Sequence, residues 1–129
     1  PPATASLALG DSMGEMSAYY AMAEVAIIGG SLLPFGAQNL IEACALGVPV
    51  IVGPHSHNFA QVAEEAIAAG AAIRVADARE AVAVAVSLLA EPARRAAMGQ
   101  AGVAFAQAHR GATQRCLQAL RPWLDGRPA

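Results

Sequence analysis

The amino-acid sequence predicts an α/β domain, a parallel sheet flanked by helices, from three observations. Short apolar runs alternate along the chain with longer stretches of helical spacing. Glycine or proline marks most of the turns between these segments. Hydrophobic residues make up 56% of the chain and aromatic residues only 5%, because much of the apolar content is alanine. We therefore expect alanine-rich helices packed closely on aliphatic strands and joined by right-handed crossovers.

Four apolar runs are predicted as strands, and their lengths are typical of buried parallel strands. They cover residues 6–9, 25–28, 48–52 and 72–75. Four strands are fewer than a complete doubly wound domain has. The sequence also opens with Pro-Pro and carries no initial methionine. We therefore interpret residues 1–129 as a single domain that is a fragment of a longer chain.

Helix starts are predicted from capping residues and helix ends from glycine. The pairs with capping-box spacing are Ser12 with Glu15, Asn58 with Gln61, and Asp77 with Glu80. Asn39 is a further predicted N-cap, and proline at position 92 suits the first turn of a helix. The predicted helices run over residues 12–22, 39–46, 58–70, 77–90, 92–109 and 112–123.

Composition argues against several classes of function. The net charge is -2, and no run of basic residues favours nucleic acid as a partner. Cys44 and Cys116 lie far apart, and neither belongs to a C-x-x-C unit, so a disulfide framework is not expected and a reducing cytoplasm fits. There is no signal peptide, and no apolar run approaches the roughly 18 residues of a membrane helix. These features predict a soluble domain.

Ligands of open parallel sheets bind beyond the carboxyl ends of the strands, so the residues after each run are the candidates. These segments are 10–15, 29–31 and 53–57, which hold many of the glycines and two of the three histidines. Backbone amides in the Gly29-Gly30-Ser31 turn can approach an anion closely. The helix predicted to begin near Asn39 would direct its positive end to the same edge. The alternative, an ordinary glycine turn, stays open at this point.

Glu42 lies one turn into that helix, where its carboxylate could accept two hydrogen bonds from a ribose diol. The alternative is an acid favoured by the helix dipole. Because its neighbours are apolar, the charge must point to water or to a ligand. His55 and His57 lack a third nearby ligand, so we expect no metal site and interpret His55 as a hydrogen-bond donor. The sequence thus predicts a binding edge without catalytic residues.

Several motifs together resemble the 3-deoxy-D-manno-octulosonic acid (Kdo) transferases, which are GT-B glycosyltransferases. They are G-D-S-M-G-E at 10–15, G-G-S at 29–31, Asn39, Glu42, G-V-P at 47–49 and G-P-H at 53–55. The similarity extends to about residue 120. It implies the C-terminal, Rossmann-like lobe of such an enzyme, present in part, with CMP-Kdo as donor substrate and no cofactor.

The resemblance also implies roles for individual residues. Gly30 and Ser31 would lie near the nucleotide phosphate, and Glu42 would hold the ribose hydroxyls. The implied nucleotide-sugar-binding set is Met13, Gly14, Glu15, Gly30, Ser31, Gln38, Asn39, Glu42 and His55. Two positions depart from the family pattern, because Gln38 replaces a histidine and Phe35 a basic residue. Both changes remove positive charge beside the expected phosphate.

By the same resemblance, the catalytic carboxylate, the site for the lipid A precursor and the membrane anchor belong to an N-terminal lobe. The full-length protein would then act at the cytoplasmic face of the bacterial inner membrane, in lipopolysaccharide synthesis. Two alternatives remain at this point. One is the lobe of a UDP-sugar-dependent GT-B enzyme, and the other is a Rossmann-like interaction module without enzymatic activity.

Overall fold

The sheet of this computed structural model has three parallel strands, in a chain described at residues 6–10, 14–34, 40–56, 59–124 and 126. The strands are β1 Ala26–Ile28, β2 Val50–Val52 and β3 Ala72–Arg74, in the order β1-β2-β3. Ile28 lies opposite Val52, and Val52 lies opposite Arg74. The last residues of the strands therefore form one row along the carboxyl edge of the sheet.

Helices separate the strands, as the sequence predicts. The structure has α1 Met16–Met22, α2 Ile41–Ala45, α3 Ala60–Ala68, α4 Ala78–Leu89 and α5 Pro92–Leu124, with a 3-10 turn at Gly29–Leu32. The predicted fold class, a parallel sheet flanked by helices, is confirmed.

The central strand β2 is covered on both faces, and its side chains alternate between them. Val50 and Val52 are fully buried in one cluster, whereas Ile51 is fully buried in another. The first cluster includes residues of α2, α3 and α5, and the second includes Ala81 and Leu88 of α4. Apolar burial on both faces explains why the strands are continuous apolar runs.

Glycines allow α2 and α5 to pack closely. Gly47 has φ +75° and ends α2 in the left-handed conformation that favours glycine. A Cβ added at Gly99 would fall well inside van der Waals contact of the Gly47 carbonyl oxygen. One added at Gly102 would lie 3.1 Å from the carbonyl oxygen of Cys44. The sequence predicts helices packed closely on strands, and the structure shows that two of the helices also pack closely on each other.

The predicted strand at residues 6–9 is wrong. Residues 7–10 form no helix or strand, and Leu7 and Leu9 are 90% and 89% exposed. The segment lies along α1, because a Cβ added at Gly10 would meet the ring of Tyr19. A strand needs a hydrogen-bonded neighbour, and among the described residues the sheet holds three strands instead of the four predicted.

Capping was predicted correctly in one helix and wrongly in three. Asp77 Oδ1 accepts a 2.8 Å hydrogen bond from the Glu80 amide, which confirms the capping box of α4. The carboxylate of Glu80 in turn accepts from the Ala76 amide at 2.6 Å. In α1, by contrast, Gly14 has φ +82°, so a helix cannot begin at Ser12 and the first helical residue is Met16.

The other two predicted caps are displaced by one residue. The N-cap of α2 is Leu40 instead of Asn39, and that of α3 is Phe59 instead of Asn58. Asn39 and Asn58 themselves lie outside the described residues. Gln61 donates its side-chain amide to Glu65 at 3.0 Å, one turn along α3, instead of completing a capping box.

The last predicted boundary, between helices at 92–109 and 112–123, does not exist. The structure has one helix, α5, running through Gly111 without a positive φ. A glycine inside a helix costs only about 1 kcal/mol and does not by itself end it. The Thr113 hydroxyl also donates to the His109 carbonyl at 3.1 Å within the same turn.

Candidate functional site

The loops that follow β1 and β2 are joined by hydrogen bonds centred on Ser31. Its side chain is fully buried, and the hydroxyl donates to the Ile28 carbonyl at 2.5 Å. The same hydroxyl accepts from the Gly53 amide at 2.7 Å. The Ser31 carbonyl accepts from the His55 amide at 2.8 Å. These bonds fix the two loops at a set distance from each other.

Ser31 therefore faces inward, not toward a ligand. Its hydroxyl would have to give up the hydrogen bond that it donates to Ile28 before it could donate to a phosphate. The sequence left open whether the Gly29-Gly30-Ser31 turn binds an anion or is an ordinary glycine turn, and it did not show that the hydroxyl is used inside the protein. A direct contact between Ser31 and the nucleotide stays a prediction.

Gly53 fits so closely against the first loop that no larger residue could replace it there. A Cβ at this position would lie 2.5 Å from the Ser31 carbonyl oxygen and 2.9 Å from the Leu32 Cα. The Gly53 carbonyl accepts a 3.2 Å hydrogen bond from Arg74, the last residue of β3. Loops that follow different strands thus share contacts at one edge of the sheet.

The sequence reasoning missed Arg74. The Arg74 guanidinium also forms an ion pair with Glu64 of α3. The available signal was its position, because Arg74 is the one charged residue in the apolar run 72–75 and comes near its carboxyl end. In open parallel sheets that end faces the ligand.

Glu42 is exposed in the first turn of α2, whereas the next two residues, Ala43 and Cys44, are fully buried. The expectation that its charge points away from the core is confirmed. Burial raises the pKa of Tyr20 in α1, and the nearby Glu42 carboxylate raises the Tyr20 pKa further. The α1 helix packs against α2, so it borders the position of Glu42.

The other predicted site residues differ in what the structure says of them. Gly14 adopts φ +82°, and among the described residues no heavy atom beyond its chain neighbours lies within 4 Å of an added Cβ. Glu15 is the N-cap of α1, and its carbonyl accepts from the Ala18 amide at 3.0 Å. Gly30 and His55 are both partly buried. Met13, Gln38, Asn39, His57 and Phe35 lie outside the described residues.

Cys44 is a buried hydrophobic residue, as the sequence indicates. Burial raises the pKa of its thiol from 9.0 to about 11, so the thiol stays protonated and unreactive at neutral pH. Within the described part of the chain, no group of three or more His, Cys, Asp or Glu side chains could hold a metal ion.

The structure thus brings Gly30, Ser31 and His55 together through direct bonds between their loops. Gly14, Glu15 and Glu42 belong to the neighbouring pair α1 and α2. Exposed backbone of the glycine turn and an exposed carboxylate can together bind a ligand with an anionic group and hydroxyl groups.

A family of known proteins matches most of the chain. The family described as glycosyl transferases group 1 matches residues 4–104. This chain belongs to the glycosyl transferases group 1. A predicted binding edge at the carboxyl ends of the strands agrees with membership of that family.

Individual members of the family confirm the resemblance to Kdo transferases. The 3-deoxy-D-manno-octulosonic acid transferase of Bordetella pertussis is 62% identical over 116 residues, which is 90% of this chain and 27% of the relative. That of Haemophilus influenzae is 35% identical over 97% of this chain and 30% of the relative. The chain therefore spans less than a third of the length of these relatives.

A solved structure shares the fold. The crystal structure of the C-terminal CMP-Kdo binding domain of WaaA from Acinetobacter baumannii matches with a TM-score of 0.71 and 35% sequence identity. The match covers 76% of this chain and 51% of that domain. The predicted architecture, a partial C-terminal GT-B lobe, agrees with this likeness.

Proposed function

We propose that this chain is the donor-binding, C-terminal lobe of a Kdo transferase that moves Kdo from CMP-Kdo to a lipid A precursor. The observation that carries the proposal is the likeness to a CMP-Kdo binding domain at 35% identity and TM-score 0.71. The 62% identity to a Kdo transferase over 90% of the chain supports the same substrate. Residues 1–129 would then be one domain of a longer protein.

The proposed site places CMP at the carboxyl edge of the sheet. Amides of the Gly29-Gly30 turn would face the phosphate. Among the described residues, and apart from its two chain neighbours, no heavy atom lies within 4 Å of a Cβ added at Gly29. The exposed carboxylate of Glu42 would accept hydrogen bonds from the ribose hydroxyls. Met13, Gly14 and Glu15 would border the nucleotide from the segment before α1, and Gln38, Asn39 and His55 would complete its surroundings.

The chemical contribution of this lobe would be binding and charge stabilisation. CMP leaves with negative charge on its phosphate as the glycosidic bond breaks, and oriented amides stabilise that charge. The base for the acceptor hydroxyl would come from the remainder of the longer protein. Closure of the two lobes would keep water from the activated sugar. We propose no cofactor beyond the donor substrate.

We further propose that the longer protein binds the lipid A precursor and the cytoplasmic face of the inner membrane outside this chain. Among the helices described here, none is long and apolar enough to cross a bilayer.

An NMR titration of the domain with CMP, UMP and UDP tests the proposed function. Selective shifts with CMP at the amides of Gly30, Ser31, Glu42 and His55 are expected, while amides near Cys116, far along α5, serve as the internal control. A selective response to UDP would indicate that the chain is instead the lobe of a UDP-sugar-dependent enzyme. No response from the domain and none from the intact protein would favour the interaction module without enzymatic activity.

A further inference from the structure

We propose that Arg74 is a positioning residue for the donor. Its guanidinium holds the loop after β2 through the Gly53 carbonyl and so sets the spacing between the loops that receive the nucleotide. This inference rests on the proposed function and deepens it, because it assigns a role to a residue outside the set that sequence motifs indicate.

The argument begins with a continuous series of hydrogen bonds across the ends of all three strands. Arg74 Nη1 donates to the Gly53 carbonyl at 3.2 Å, at the end of β2. The Gly53 amide donates to the Ser31 hydroxyl at 2.7 Å, and that hydroxyl donates to the Ile28 carbonyl at 2.5 Å, at the end of β1. Arg74 is thus the β3 end of a network that reaches the glycine turn.

The register of the sheet makes this contact possible. Arg74 lies opposite Val52, so its side chain starts beside the residue that precedes Gly53. The neighbouring amide of Val75 donates to the Val52 carbonyl at 2.8 Å, which fixes the backbone at the base of the side chain. The guanidinium therefore needs to reach only one residue further along the adjacent strand.

Glu64 holds the guanidinium in that orientation. One terminal nitrogen of Arg74 contacts Gly53 and the other pairs with Glu64 of α3. The Arg74 side chain is 32% exposed and that of Glu64 is 67% exposed, so the ion pair alone contributes little to stability. Its effect is geometric, because a planar guanidinium with two fixed partners has one orientation.

The loops after β1 and β2 are packed so closely that one cannot shift without moving the other. A Cβ at Gly53 would lie 2.5 Å from the Ser31 carbonyl oxygen, so the two loops already touch. Gly53 is buried, and its carbonyl would lose a charged partner without Arg74. A shift of Gly53 would be passed to Ser31 and to His55, whose amide depends on the Ser31 carbonyl.

Steady-state kinetics of the intact transferase test the inference. Arg74→Gln is expected to raise the KM for CMP-Kdo by about three- to ten-fold, with kcat within about two-fold, because loss of positioning weakens ground state and transition state alike. Arg74→Lys keeps a hydrogen-bond donor but loses the two-pronged guanidinium, so its KM should lie between those of the wild type and Arg74→Gln. Arg95→Gln is the matched control, because Arg95 also donates to backbone carbonyls, those of Leu88 and Leu89, away from the strand ends.

Two further measurements separate positioning from a direct contact with the donor. Glu64→Gln should raise the KM by about two- to three-fold if Arg74 acts through Gly53, since the guanidinium then loses its orientation. If Arg74 bound the donor phosphate directly, freeing it from Glu64 would leave the KM unchanged or lower it. The double variant Ser31→Ala with Arg74→Gln should raise the KM for CMP-Kdo no more than the single variant with the larger effect, because both residues act on one hydrogen-bond network.

Hydrogen–deuterium exchange of the intact protein gives a readout independent of activity. Arg74→Gln should speed exchange at the amides of Gly53 and His55, while Arg95→Gln should not. A KM and an exchange rate at wild-type values in Arg74→Gln would overturn this inference while leaving the proposed function standing. Failure of the wild-type protein to use CMP-Kdo would instead overturn the proposed function and this inference with it.

Discussion

Glu42 is a proposed site residue with an exposed side chain. It is exposed in the first turn of α2, and it lies next to two fully buried positions, so its carboxylate has no place in the core. Glu42→Ala in the intact enzyme should reduce kcat/KM for CMP-Kdo. The corresponding loss of transition-state stabilisation is about 1–3 kcal/mol, because a charge-assisted hydrogen bond is lost. Glu65→Ala, which removes an exposed acid of α3, is the control. Unchanged kcat and KM in Glu42→Ala would rule out the ribose contact.

Cys44 should make the free energy of unfolding fall as the pH rises into the alkaline range. Burial raises the pKa of its thiol from 9.0 to about 11, so the unfolded chain loses the proton first as pH rises. The contribution to the free energy of unfolding is therefore complete below about pH 9 and is lost progressively between pH 9 and 11. Tyr20, whose pKa is raised above 10.0, adds a loss of the same sign at higher pH.

Urea unfolding of the chain at a series of pH values checks the role of Cys44. Cys44→Ala should flatten the decline in stability between pH 9 and 11, although it lowers stability at neutral pH by opening a small cavity. Cys116→Ser is the matched control, because Cys116 is exposed and should leave the pH dependence as in wild type. Identical slopes in all three proteins would contradict the assignment to Cys44.

A local partner is needed for a single residue's contact to be predicted from sequence, but it is not sufficient, since three of the four predicted caps were wrong. The capping box of Asp77 and Glu80 was predicted correctly, and the two residues lie within one turn of each other. Ser31 and Arg74 were not predictable, because their partners lie 22 and 21 residues away along the chain. A hydroxyl after a glycine pair suggests a ligand contact until the fold shows that Gly53 occupies it.

At the scale of elements, the crossing of α2 and α5 depends on glycine where the helices touch. Gly99→Ala would place a methyl group against the Gly47 carbonyl and should destabilise the protein by about 1–3 kcal/mol. Gly111→Ala lies in the same helix, and its methyl group would meet only the flexible end of Arg115, at 3.5 Å. That change should stabilise the protein by about 0.5–1 kcal/mol, because alanine favours the helix.

Thermal or urea unfolding of the two variants against wild type measures both effects. The opposite signs form the prediction, since propensity alone would make both glycine-to-alanine changes stabilising. A stabilised Gly99→Ala variant would show that the helices are not held as closely as the structure has them. A strongly destabilised Gly111→Ala variant would show that α5 is interrupted there, as the sequence suggested.

Strands were predicted correctly where a short apolar run also has a neighbouring strand to pair with. The runs 25–28, 48–52 and 72–75 each contain a strand, because short aliphatic runs between turns suit a buried parallel sheet. The run 6–9 has a similar pattern but no neighbouring strand, and pairing is a property of the fold, not of the segment. The continuation of α5 through Gly111 was missed for a related reason, since glycine weakens a helix without deciding where it ends.

At the scale of the whole molecule, one group of exposed apolar side chains lies on α5, a helix that carries none of the candidate site residues. The candidate site residues belong to the loops after the strands and to α1 and α2. The exposed apolar side chains of α5 instead follow Gly111, and they are Leu117, Leu120, Trp123 and Leu124. Sequence motifs predict the binding edge, but they describe neither the network that joins its loops nor this apolar stretch.

Sugar transfer should require more than this chain. The relatives that share its sequence are more than three times as long, since the chain covers 27% and 30% of two of them. A transferase must bring an acceptor hydroxyl and a base to the donor, and orientation of two reactants supplies a large part of the rate. The isolated 129-residue chain should therefore bind CMP weakly and transfer no Kdo, while the intact protein should add the mass of Kdo to a lipid A precursor.

Mass spectrometry of the lipid product checks this, with intact Arg95→Gln protein as the active control. Transfer by the isolated chain would place acceptor binding and the base inside residues 1–129, and the division of labour between two lobes would have to be abandoned.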